Sequence, residues 1–321
     1  MDRQEQMLAS ATMYYLQDLK METIAGRLHM SRSSVSRLLK DARAQGLVEI
    51  TLRGLPTEAP ELGRRILDAF GATAHTVSVL NSATAQDRLQ QVALATARLL
   101  AGWFDSGMVL GVAWGTTVGA IARQLPRKTT RGSVVVQLNG SANTRTYGGE
   151  YAEQMLLGFA HAFDAQPQVF PVPAFFDFAE TRDAMWRERS IARILELQRG
   201  ADIALFGIGS LSGDVPSHVY SAGYLDQSDM RHLRQQRVVG DVCTVFLRAD
   251  GSYEDLALNR RATGPTPAEL KDIPRRVCAV AGEHKAVPLL AALRAGAITD
   301  LVIDEIAAHA LLAAMDTSSG A

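Results

Sequence analysis

From about residue 73 to its C-terminal end the chain alternates short apolar runs with segments of helical period, and this alternation narrows the fold more than any other feature. The runs are "HTVSVL", "GMVLGVAW", "SVVVQLNG", "QVFPVPA", "ADIALFGIG", "CTVFLRADG", "RRVCAVAG" and "DLVID". Between them, residues 86–104, 149–161 and 288–295 read as helices, and "ELGRRILDAFG" reads as another ahead of the first run. Apolar strands separated by helices imply a mostly parallel α/β sheet covered on both faces. In such sheets ligands bind outside the carboxyl ends of the strands. Upstream, "RGLPTEAPELG" breaks the pattern with Pro56, Pro60 and two glycines. It predicts a boundary near residue 55, hence one domain over 1–54 and a second over 55–321.

A length of 321 residues suits two domains, or one large domain with a small appendage. Hydrophobic residues are 47% of the chain and formal net charge is −1. A polyanion-binding site must therefore come from local charge and not from the total. The two cysteines, Cys243 and Cys278, sit in apolar runs and read as buried thiols. No CxxC or Cys/His spacing occurs, so neither a metal nor a cofactor is expected. The N-terminus lacks the apolar core of a signal peptide, and no run of about 18 apolar residues is present. A cytoplasmic protein without a membrane partner is the expectation.

The first fifty residues carry local charge of the right kind. In "METIAGRLHMSRSSVSRLLKDARAQGLVEITLR", Ile24, Ala25 and Leu28 recur at helical spacing, and Ser31 is a good N-cap for a second helix. That helix places Val35, Leu38 and Leu39 on one face. Two short helices joined by so short a turn form a helix-turn-helix, supported by a first helix in "QEQMLASATMYYLQ". The outward face of the second helix is Arg32, Ser33, Ser34, Ser36, Arg37 and Lys40. Hydroxyls and guanidiniums are the groups that meet phosphates and base edges in a DNA major groove. "GLVEITLR" then reads as a helix stop followed by a short strand, like the wing of a winged helix. The plainer alternative is a helical hairpin with a solvated basic face.

In the larger part, "GVAWGTTVGA" places Gly115, Thr116 and Thr117 where a strand gives way to a helix. Helix N-termini offer unpaired N–H groups and a positive dipole end, which suits a phosphate. Neither GxxxxGK[ST] nor GxGxxG occurs, and a helix end without a ligand would look the same. Other strand ends supply polar groups. Asn139 and Gly140 follow "SVVVQL", Asp241 lies just before the strand of "VVGDVCTVF", and Lys285 falls in the first turn of another strand-to-helix crossing. The dipole disfavours a lysine there, and a bound anion would offset that cost. A solvated lysine and a turn-capping aspartate are the alternatives. "FGIGS", residues 206–210, is one more glycine-rich strand end.

Taken in order, "METIAGRLHMSRSSVSRLL", "GVAWGTT", "VVQLNG", "VGDV" and "GEHKAVPLLAALRAGAITDLVIDE" resemble the SorC family of bacterial sugar-responsive transcriptional regulators over nearly the whole chain. The resemblance implies a winged helix-turn-helix domain joined to a Rossmann-like α/β effector domain similar to sugar-phosphate isomerases and deaminases. It implies a phosphorylated sugar or polyol effector, operator DNA as partner, and a homo-oligomer, either dimer or tetramer. It further implies that Gly115, Thr116 and Thr117 hold the effector phosphate with help from Lys285, and that Asp241 accepts hydrogen bonds from sugar hydroxyls. Some members carry an arginine at the position of Asn139, suited to a second phosphate, and others a lysine that forms a Schiff base. Asn139 has neither the charge nor the amine. A singly phosphorylated effector is therefore expected, with an unphosphorylated one still open.

The competing function is an enzyme acting on sugar phosphates, because fold does not fix function. Such an enzyme needs an acid/base pair beside the phosphate site. Asp241, Glu283, Asp304 and Glu305 are the carboxylates available, in no recognisable catalytic motif. A regulator whose sensor has lost its ligand is a third reading, against which the retained loop speaks.

Overall fold

The structure, a computed structural model, describes residues 1–48, 58–80, 82–143, 149–212 and 217–319. The chain divides into two compact units, Met1–Pro56 and Thr57–Ala321.

In the first unit α1 (Arg3–Ala11) runs into a single wide π turn, Thr12–Leu16, where the sequence reads as one continuous helix. Then come α2 (Met21–Arg27) and α3 (Arg32–Ala44). Ser31 caps α3 as expected, its hydroxyl accepting from the Ser34 N–H at 3.1 Å. Met7, Ala11, Ile24, Ala25, Val35, Leu38, Leu39 and Ala42 form the small core. Gly46, at φ +72°, ends α3 in the left-handed conformation that glycine adopts freely. The expected wing strand falls largely on residues 49–53, outside the described residues.

The second unit begins with α4 (Ala59–Phe70), β1 (Thr73–Val77), α5 (Ala85–Trp103), β2 (Val109–Val112), α6 (Thr116–Ala122) and β3 (Val134–Gln137). It continues with α7 (Gly149–Phe163), β4 (Gln166–Gln168), α8 (Ala179–Met185), α9 (Arg189–Arg199), β5 (Ile203–Phe206) and β6 (Ile208–Ser210). After α10 (His218–Ser221) and α11 (Gln227–Gln235) come β7 (Val238–Val242), β8 (Val245–Arg248) and α12 (Pro267–Leu270). Last are β9 (Arg275–Val280), α13 (Ala286–Arg294), β10 (Asp300–Asp304) and α14 (Glu305–Ser319).

Among the described residues, seven strands form one sheet in the order β1-β10-β9-β5-β2-β3-β4, every pairing parallel. Side chains alternate between its faces. Leu301, Ile303, Cys278, Val280, Ala204 and Phe206 enter one core with α4, α13 and α14. Val302, Val277, Ala279, Ile203, Leu205, Leu110 and Val112 enter the other with α5, α6 and α7. Double-sided burial explains why these strands read as continuous apolar runs.

Three strand expectations need correction. "QVFPVPA" is not a strand as read: β4 ends at Gln168, and Pro171 and Pro173 have no N–H for a ladder. "ADIALFGIG" is two strands, because the chain leaves the parallel sheet at Gly207 and starts a small antiparallel sheet, β6-β7-β8. Asp241 does not precede a strand but lies inside β7, paired with Gly209 of β6. Glycine and aspartate in "VVGDV" hide a strand that apolar patterning would otherwise show.

The small sheet is pressed onto α13. A Cβ at Gly240 would stand 2.3 Å from the Gly209 carbonyl oxygen and 2.4 Å from Pro288 Cβ. Neither neighbour can rotate away. Gly240→Ala should therefore cost roughly 1–3 kcal/mol, as overpacking does. Denaturant unfolding of the full-length protein checks this; a variant as stable as the parent would show that the sheet and α13 are not in firm contact.

Candidate functional site

The strand order reverses between β2 and β5. From β2 the chain proceeds through α6 to β3, and from β5 it moves on towards β9 on the other side. The carboxyl ends of two adjacent strands are thus left without a crossover above them, which is where an open α/β sheet takes its ligand. A cleft lies there, with about 530 Å³ of empty space counted out to its open mouth. The residues after β2, after β5 and before α13 line it together with Asn139 and Asp241.

Of the residues singled out from sequence, Gly115, Thr116, Thr117, Asn139, Asp241 and Lys285 all line this cleft. Gly140 does not. Its N–H donates to Thr263 Oγ1 at 3.1 Å and its carbonyl accepts from Trp114 Nε1 at 2.7 Å. A Cβ there would meet the Val172 and Pro173 carbonyls at 2.4 and 2.3 Å. Gly140 holds two backbone segments close and contacts no ligand space.

Thr116 begins α6, and Gly115, its N-cap, has no side chain to bond the first-turn amides. Thr84 and Asp226 cap α5 and α11 with their side chains, whereas α4, α8, α9, α10 and α13 lack a side-chain cap, as α6 does. Thr117 is buried and Thr116 exposed at the mouth. Trp114 closes the wall, stacked on Tyr224 with ring centroids 4.8 Å apart. Tyr151 fixes the loop by donating to the Gly115 carbonyl at 3.1 Å. Asn139 is 1% exposed, and its Oδ1 has no hydrogen-bond partner among the described residues. A buried amide oxygen without a donor is costly, about 1–3 kcal/mol, unless something fills the role.

Asp241 is the main electrostatic feature. It is 4% exposed. Its carboxylate accepts from the Tyr220 hydroxyl at 2.8 Å and from the Thr244 N–H at 3.1 Å. The second bond exists because Cys243 and Thr244, with φ of 49° and 71°, form a two-residue hairpin between paired Val242 and Val245. The carboxylate lies directly over Gly209, where any Cβ would overlap it. Gly209 is thus a site residue that sequence reading left as part of an unassigned glycine-rich strand end. Lys285 ends a 3₁₀ turn, Glu283–Lys285, at the start of α13 and donates to the Ile208 carbonyl at 2.9 Å. Burial pushes its ammonium below its ordinary pKa, opposed by the fields of Cys278 and Asp241.

The carboxylates needed for acid/base chemistry are not assembled. Asp304 Oδ2 and Oδ1 accept backbone N–H groups of Gly282 and Ala307, at 2.8 and 3.0 Å. Glu305 accepts from Ser78 at 3.0 Å, and Glu283 is exposed. Neither they nor Asp304 line the cleft. In the first unit, Arg32, Ser33, Ser36, Arg37 and Lys40 are exposed on α3, while Ser34 is half-buried within the N-cap of that helix. Arg32 pairs with Glu22 at 3.2 Å.

A parallel-sheet domain with a polar cleft at its switch point, fused to a helix-turn-helix, defines a ligand-sensing DNA-binding protein. The comparisons specify the class. Residues 56–313 match the family described as "Putative sugar-binding domain". The chain is 30% identical over 314 residues to the deoxyribonucleoside regulator of Bacillus subtilis, covering 97% of this chain and 99% of that one. It is similar to the full-length sorbitol operon regulator SorC of Klebsiella pneumoniae, at 25% identity and TM-score 0.71, covering 96% and 98%. A domain of a "possible sugar-binding transcriptional regulator" from Arthrobacter aurescens TC1 aligns at 45% identity and TM-score 0.75, covering 81% and 100%. The chain belongs to the SorC family of sugar-binding transcriptional regulators. It is a regulator and not an enzyme. Among the described residues no helix is long and apolar enough to cross a membrane.

Burial raises the Asp241 carboxyl from 3.8 to about 6, although Tyr220, the Thr244 N–H and Lys285 all pull it down. Between those two values the folded chain holds a proton that the unfolded chain has released. This group's contribution to stability therefore falls as pH rises through the window, by roughly 3 kcal/mol at most, and is level above it. The unfolding free energy of the parent minus that of Asp241→Asn should decline from about pH 4 to about pH 6 and then stay flat. A difference independent of pH would mean that Asp241 is not desolvated in the folded protein.

Proposed function

We propose that the cleft binds a small, singly phosphorylated sugar or polyol, and that this binding controls the affinity of the helix-turn-helix for operator DNA. The carrying observation is that one cleft holds both buried Asp241 and an Asn139 Oδ1 that has no hydrogen-bond partner among the described residues. An ionised carboxylate and an amide oxygen are both acceptors, and hydroxyl groups are the donors that match them. At the other end, the uncapped first turn of α6 and the Lys285 ammonium supply positive charge for one phosphate. Asn139 adds no second cation and no amine, which speaks against a bisphosphate and against an imine-forming aldehyde at that position. The names of the relatives, for regulators responding around deoxyribonucleosides and sorbitol, agree with a carbohydrate effector.

Regulation follows from linkage. An effector that binds one arrangement of the protein more tightly than another shifts the population, and DNA affinity moves with it. The reading helix is α3, led into the major groove by its N-terminal end. Arg32, Arg37 and Lys40 meet phosphates or base edges, with the hydroxyls of Ser33, Ser34 and Ser36 between them. The protein acts in the cytoplasm as a homo-oligomer, dimer or tetramer, whose two-fold pairing of heads reads a palindromic operator or repeated half-sites.

A thermal-shift panel of sugars, polyols and their phosphates tests the sensor. One phosphorylated compound should raise the melting temperature by mass action, and Thr117→Glu should abolish that shift through charge repulsion while DNA binding persists. A shift with unphosphorylated compounds alone would remove the phosphate from the reading. For the reading head, Arg37→Ala should weaken duplex binding about fivefold to a hundredfold and leave effector binding unchanged. Full DNA affinity in that variant would take Arg37 out of the interface.

A further inference from the structure

The turn between α2 and α3 places a histidine where glycine fits best. His29 has φ +51°. It closes α2 in the manner of a Schellman end: its N–H donates to the Gly26 carbonyl at 3.4 Å, and the Met30 N–H reaches the Ala25 carbonyl at 3.0 Å. The left-handed conformation crowds an L side chain, so glycine would relieve it.

The surroundings of His29 point to what the site takes. The ring is exposed, and its nitrogens make no hydrogen bond or ion pair among the described residues. It lines an open notch with Arg3 and Gln6 of α1 and with Ser34 and Arg37 of α3. Every polar side chain around the notch can donate a hydrogen bond, two are cations, and no carboxylate lines it. Asp41 holds Arg3 from outside at 2.7 Å, whereas Arg37 makes no ion pair among the described residues. The notch therefore presents donors and one unneutralised guanidinium beside the first turn of the reading helix.

We infer that His29, with Gln6 and Arg37, seats a phosphate of the DNA backbone at the edge of the reading helix, and that the strained turn aims the ring at it. This rests on the reading of α3 as the DNA-contacting helix. It adds a positioning contact made from outside that helix, by a residue whose conformation disfavours its own side chain. Phosphate contacts carry no sequence information, so a random-sequence duplex suffices as probe.

The experiment measures binding of the full-length protein to that duplex at low salt, together with melting temperature, for the parent, Arg37→Ala, His29→Gly and His29→Gln. His29→Gly should melt at the same or a higher temperature, because the strain is gone, yet bind roughly threefold to tenfold more weakly. His29→Gln, which restores a donor, should recover part of the affinity. Unchanged binding by His29→Gly, with Arg37→Ala weakened, overturns the phosphate seat and leaves the reading helix standing. A lower melting temperature for His29→Gly overturns the strain that aims the ring. Failure of the parent to bind the duplex overturns both the seat and the DNA reading on which it rests.

Discussion

Where β2 and β5 lie side by side, their chains depart in opposite directions, and the rest of the sensor is arranged around that divergence. Helices cover both faces of the sheet, but no crossover can cover the carboxyl ends of these two strands. The loop Ala113–Gly115 and the segment Gly207–Gly209 therefore face each other over open space. The small antiparallel sheet fills one side of it by carrying the chain out of the parallel layer at Gly207 and bringing β7 back alongside. Asp241 reaches the cleft because the residue paired with it is a glycine.

That placement disfavours the charged carboxylate. Tyr220 and the Thr244 amide bond the carboxylate, and Lys285 lends its field, yet desolvation remains the larger effect. Tyr220 is itself raised well above its ordinary pKa, by burial first and by Asp241 second, so it stays a hydroxyl and a donor. With the Asn139 oxygen buried and without a partner among the described residues, the cleft holds polar groups that a purely structural core would exclude. On the proposed reading, a polyhydroxylated ligand would supply the missing donors, and its phosphate would meet charge at α6 and Lys285. In the reading head the same logic applies to His29, whose backbone conformation favours glycine while its ring faces a row of donors.

The parallel sheet was legible because burial on both faces makes whole strands apolar, and β2, β3, β9 and β10 stand out for that reason. The helix-turn-helix was legible because Ala25, Ser31 and Val35 occupy positions where packing and capping allow few alternatives. The small sheet was not. Its strands carry Gly209, Gly240 and Asp241, residues that fit close approach of neighbouring backbone and side chains and not strand propensity. For the same reason Asp241 was noticed as a polar strand-end residue while Gly209 beneath it was not. Gly140 misled in the opposite sense. It follows a strand at the carboxyl edge, as a ligand-contacting glycine would, but backbone from the Val172–Pro173 segment occupies the space where its side chain would go.

If cleft and reading head are thermodynamically coupled, the coupling must be reciprocal. Effector affinity is measured by calorimetry on the full-length protein, first alone and then saturated with a duplex that the protein selects from a random library. DNA should change effector affinity by the same factor, about fivefold or more, by which effector changes DNA affinity. Identical effector affinities with and without DNA would contradict it, and would leave the cleft as a binding site without control over the DNA-binding unit.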